Sequence, residues 1–217
     1  MQGKTHRVGG VLSALSGFVL LESNNMLIPG VEPILQLAVI YPFAIYGSIV
    51  SDLDHNWNSS PSKDPISWVI NKILHLSKGR VKNEKSILSI FDAKHRSWQT
   101  HSDLFLFIFI ILGWFTGMDD TSSINGIIFK LIMIGFVLGV ISHLILDSLT
   151  SEGIWFILPS IINGKKVTFR LVPKKHFFST GNRWENLVRS LMWFVIILLF
   201  MYILYKTSPY RINIKFS

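Results

Sequence analysis

The sequence predicts an all-α integral membrane protein, a bundle of about five spans with a metal site where helix ends meet the cytoplasm. Three observations carry this expectation. Hydrophobic residues fill 49% of the 217 positions and charged residues only 16%, well under the roughly 25% of an ordinary soluble domain. The apolar residues gather into five stretches, at 8–21, 31–50, 104–117, 124–146 and 187–205. Basic residues are missing from alternate connections between those stretches, as they are from the external loops of membrane proteins.

The first stretch, 8–21, is short for the roughly 20 residues a spanning helix needs; it borrows its polar ends, tilts, or fails to cross. The second, 31–50, holds Pro33 and Pro42, and the third, 104–117, is rich in Phe and Ile. The fourth, 124–146, is the clearest. The fifth, 187–205, carries Trp193 and ends in Tyr202 and Tyr205, aromatics suited to the headgroup layer. No small-residue cleavage site follows the first stretch, so it does not read as a signal peptide.

The connection between the first two stretches holds Glu22 and Glu32 but no base, and that between the third and fourth holds Asp119 and Asp120. The other two connections are basic: Lys63, Lys72, Lys78, Arg80, Lys82, Lys85, Lys94 and Arg96 in one, Lys165, Lys166, Arg170, Lys174, Lys175 and Arg183 in the other. The positive-inside rule then gives a multi-pass protein of an inner (cytoplasmic) membrane, with a cytoplasmic N-terminus and an external C-terminus. Lys206, Arg211 and Lys215 in the tail oppose this weakly. The formal net charge of +8 suits anionic headgroups better than a specific nucleic acid, since the bases sit between apolar spans. The whole chain, 1–217, reads as one membrane-embedded domain with a basic cytoplasmic loop at 55–100. In that loop Ile66, Val69, Ile70, Ile73 and Leu74 keep helical spacing, as in a helix lying in the headgroup layer or packed on the protein's own loops.

Seven potential metal ligands fall at the cytoplasmic ends of these stretches: His6, Asp52, Asp54, His95, His101, His143 and Asp147. Ionisable groups are costly beside hydrocarbon, so their collection at one interface marks a functional site. With no Cys in the chain, a metal here has imidazole and carboxylate as its ligands. His143 and Asp147 are four residues apart and share a helix face, so both can grip one cation. Asp52 and Asp54 follow a helix C-terminus, which already carries partial negative charge; a cation compensates them there. His55 and His95 are ligands, or else support the ligands or contact substrate. Arg96 clamps a phosphate oxygen or simply faces anionic lipid. Ser102 caps the third helix.

In these motifs the chain resembles the YdjM-like inner-membrane proteins, described as predicted metal-dependent hydrolases. The shared blocks are Gly3-Lys4-Thr5-His6, Ser51 to His55, His95 to Ser102, residues 139–159 (GVISHLILDSLTSEGIWFILP), Phe169-Arg170-Leu171 and Gly181 to Glu185. Ser51 stands where the family has Pro, and Ser97-Trp98 replaces a Gly. The family is distantly similar to zinc phospholipase C and zinc-dependent nucleases. That likeness implies hydrolysis of phosphodiesters or phosphomonoesters and more than one metal ion. Glu185 matches a family glutamate, implying a further ligand, a general base, or a partner behind the ligands.

The expected function is therefore a membrane-bound, metal-dependent phosphoester hydrolase. A divalent cation, zinc above all but with manganese or iron also compatible, is held by His6, Asp52, Asp54, His101, His143 and Asp147 and lowers the pKa of bound water. Asp54 or Glu185 accepts the proton, and Arg96 holds the phosphate. The depth of the site favours a lipid headgroup as substrate, with a soluble nucleotide or nucleic-acid end as the other source. Two rivals stand beside this: a cation or proton transporter, and a non-catalytic protein whose metal staples helix ends.

Overall fold

The computed structural model describes residues 3–50, 52, 103–115, 123–150, 153–156, 167–172 and 181–207. Each apolar stretch forms a helix: α1 (Gly3–Ser23), α2 (Pro33–Val50), α3 (Asp103–Phe115), α4 (Ile124–Ser148) and α5 (Arg183–Thr207). Among them α2, α4 and α5 are long and apolar enough to cross a membrane. The 21 residues of α1 reach far enough, but Lys4, Arg7 and its glycines and serines dilute its hydropathy. Helix α3, at 13 residues, spans roughly 20 Å at 1.5 Å per residue, short of the ~30 Å hydrocarbon core. The expected interfacial helix at 66–74 lies outside the described residues.

Burial is inverted relative to a soluble domain. Thr5, His6, Gln36, His143, Asp147 and Glu185 are buried, whereas Leu191, Phe194, Ile197, Leu198 and Met201 of α5 are exposed. Apolar side chains exposed along a spanning helix face lipid, and polar groups turn inward because hydrocarbon offers them no hydrogen bond.

Helices α1, α2 and α4 pack on one another, with α5 against α1. The α2–α4 contact is made by glycines. A Cβ on Gly139 would meet the carbonyl oxygen of Ala44 and, at 2.7 Å, the amide nitrogen of Ser48; one on Gly135 would strike Ile40, and one on Gly47 would strike Phe136. Small residues let backbones close in where lipid supplies no hydrophobic drive between helices. Gly10 does the same for α1 on α2, where a Cβ would lie 2.8 Å from the Ala44 carbonyl. Gln36 pins the α1–α2 connection. Its amide accepts from Ile28 N at 3.0 Å and donates to the carbonyls of Ile28 and Val31, both at 2.9 Å.

At the other end of α4, a two-residue antiparallel pair, β1 (Ile154–Trp155) and β2 (Thr168–Phe169), adds a small ribbon that the apolar pattern does not foretell. Leu171 N donates to the Ser148 carbonyl at 2.9 Å, so this ribbon closes over the end of α4.

Candidate metal centre

The packing brings the polar ends of three helices to one point. His6 lies in the first turns of α1, Asp52 just past the end of α2, and His143 and Asp147 in the last turns of α4. Because α1 and α4 run in opposite directions, the beginning of one meets the end of the other. His6, His143 and Asp147 are fully buried, while the side chain of Asp52 is 26% exposed. Asp52 therefore forms the solvent rim of the cluster.

His6 and His143 stack with ring centroids 4.0 Å apart and planes 18° apart. The Asp147 carboxylate reaches both rings, with Oδ1 3.5 Å from His6 Nε2 and Oδ2 3.3 Å from His143 Nε2. Asp52 Oδ1 lies 3.9 Å from His143 Nε2. His6, Asp52 and His143 each offer one donor atom within 4.8 Å of the others, a group able to hold a metal ion. Donor atoms sharing one zinc at bonds of about 2.0–2.1 Å sit roughly 3.3 Å apart in a tetrahedron, so the shorter separations already match.

The tautomer of His143 follows from its partner. Nδ1 lies 2.7 Å from the carbonyl oxygen of Ser48, which only accepts, so Nδ1 carries a hydrogen and Nε2 is the nitrogen left to face the cluster. Nε2 faces the carboxylates of Asp147 and Asp52, the disposition of an imidazole that shares a cation with them. His6 adds a second fit: among the described residues, neither of its ring nitrogens makes a hydrogen bond. The donor set thus suits a borderline divalent ion.

Glu185 lies behind His6. It is fully buried; its Oε1 accepts from Thr5 Oγ1 at 2.7 Å and its Oε2 from Gly181 N at 2.5 Å. Its own amide donates to Asn182 Oδ1 at 2.8 Å, so Asn182 caps the start of α5. One carboxylate thereby ties the start of α5 to the residue beside His6. Thr5→Val is expected to remove that donor and cost about 1–3 kcal/mol, the effect of deleting one partner of a buried hydrogen bond. Unfolding in detergent measures this, and Thr5→Ser retains most of the stability.

Asp54, His55, His95, Arg96 and His101 lie outside the described residues. Two participants escape sequence reasoning. The Ser48 contribution is a backbone carbonyl, which residue type does not reveal. Thr5 had a faint signal, a hydroxyl next to His6 at the start of an otherwise apolar helix.

A family model described as YdjM inner membrane protein matches residues 1–211. The uncharacterized protein YvsG of Bacillus subtilis (strain 168) is 30% identical over 162 residues, which cover 75% of this chain and 76% of that protein. No solved structure matches the chain.

Proposed function

Starting from a chain that belongs to the YdjM inner membrane protein family, we propose that the His6, Asp52, His143 and Asp147 cluster is the metal centre of a membrane-bound phosphoester hydrolase. The observation that carries this reading is the stacked, buried His6–His143 pair with Asp147 spanning both rings. When bound, a divalent ion supplies Lewis acidity toward a phosphoryl oxygen and acidifies water.

The protein's own residues hold and orient. Ser48 fixes His143 in the tautomer that presents Nε2. Thr5 and Glu185 brace the start of α1, so Glu185 is a positioning residue rather than a ligand in this reading. Asp52 opens the centre to substrate; on the sequence reading, Asp54 receives the proton, Arg96 holds the phosphate, and His95 and His101 add to the ligands. The basic loops support a cytoplasmic position for this face, and the whole chain is read as one domain of the inner membrane. Zinc is the ion that this donor set suits best, with manganese and iron next.

The test uses full-length protein purified in detergent at neutral pH. Stoichiometric zinc, manganese or iron by elemental analysis, together with hydrolysis of bis-nitrophenyl phosphate that a chelator stops, is the expected result. Protein that retains no metal and shows no hydrolysis when these ions are supplied ends the proposal.

A further inference from the structure

We infer that the substrate is a phospholipid whose acyl chain lies in an apolar groove along α1, presenting its headgroup phosphate to the cluster. This deepens the hydrolase reading and rests on it for the reactive centre, while the groove stands on separate observations. Gly9, Ser13 and Gly17 of α1, Leu138 and Ile145 of α4 and Met192 of α5 line a cavity of about 510 Å³, within the roughly 300–1,000 Å³ of ligand pockets. Its rim residues Leu20 and Ile145 are 63% and 51% exposed, so the groove is continuous with the surface that faces lipid.

Three serines line it, yet its wall is dry. Ser13 Oγ donates to the Gly10 carbonyl at 2.9 Å, Ser16 Oγ to Leu12 at 2.8 Å and Ser142 Oγ to Gly139 at 2.8 Å. Each hydroxyl is turned back on its own helix and asks nothing of an occupant, which suits hydrocarbon.

The groove has a direction. At one end Ser142 and Leu146 directly precede His143 and Asp147, so that end adjoins the metal cluster. From Gly9 to Leu20 it runs roughly 16 Å at 1.5 Å per residue, about half of the ~30 Å hydrocarbon core. That is the depth of one leaflet, the reach of an acyl chain whose headgroup stays at the interface. A helix of a second copy would also accept small residues, and disulfide formation at this face distinguishes the two.

The experiment reconstitutes the full chain in phosphatidylethanolamine and phosphatidylglycerol vesicles containing a phospholipid with a diazirine on its acyl chain. After illumination, label is expected on groove residues of α1 and α4 about tenfold above the exposed α5 face, and Ser16→Trp is expected to remove that excess. Even labelling of all lipid-facing helices, unaltered by Ser16→Trp, overturns the inference. The chain has no Cys, so Ser16→Cys supplies a single thiol; its quantitative disulfide dimerisation in vesicles shows a second copy in the groove and also overturns it. Labelling needs neither metal nor turnover. Metal retention without groove labelling rejects the lipid seat alone, whereas groove labelling of a protein that binds no metal rejects the substrate role through the hydrolase reading.

Discussion

Asp147→Asn is expected to strip the centre of its metal while leaving the bundle folded. The amide keeps the carboxylate's shape but not its charge, and Asp147 is the group that reaches both His6 and His143. Losing an outer partner of a metal ligand costs 10–100-fold in affinity, so losing a direct ligand should weaken binding by more than about 100-fold. At a fixed ion concentration a loss of that size removes about 2.7 kcal/mol of ligand-derived stability. Elemental analysis and thermal unfolding with and without chelator measure both quantities. The chelator should lower the melting point of the parent protein and leave that of the variant unchanged. If both proteins carry equal metal and respond alike, Asp147 is not a ligand.

Gly139→Val is expected to prevent assembly of the bundle. Backbone atoms of Ala44 and Ser48 already occupy the space that a side chain at Gly139 would need. Backbone cannot swing aside as a flexible side chain can, so α2 and α4 must separate. Overpacking in a well-packed interior typically costs 1–3 kcal/mol, and here the cost should exceed about 3 kcal/mol because no rotamer change relieves it. The expected readout is loss of the monodisperse peak on size exclusion in detergent. Gly3→Ala, which meets nothing within 4 Å, is the matched control and should behave as the parent. A folded Gly139→Val protein with unchanged melting point would show that the two helices do not pack as described.

Much of this architecture was legible in the order of residues. Five apolar stretches become five helices, since hydrophobic length is local information. The pairing of His143 with Asp147 follows from helical spacing alone. The meeting of α1 with α4 also follows, because alternate charged connections imply antiparallel neighbours whose polar ends share a plane. The stretches at 8–21 and 104–117 also form helices, while among the described residues α2, α4 and α5 are the ones with the length and apolarity to cross. What stayed hidden depends on partners far away in the chain. The stack of His6 on His143 joins residues 137 positions apart and needs Gly139 and Gly10 to bring backbones close. Glu185 is a candidate in sequence only through the resemblance, where it matches a family glutamate; its engagement by Thr5, 180 residues away, appears only on folding. The β1–β2 ribbon is too short to leave a periodic signature.

The carbonyl of Ser48 belongs to the last turn of α2, where helices run out of internal donors. Its acceptance of the His143 proton couples the winding of one helix to the chemistry of another. Unravelling α2 by a single turn would remove the acceptor that holds Nδ1, and with it the orientation that turns Nε2 toward Asp147. The placing of the His143 ring and the integrity of a terminal helical turn are, in this protein, one equilibrium.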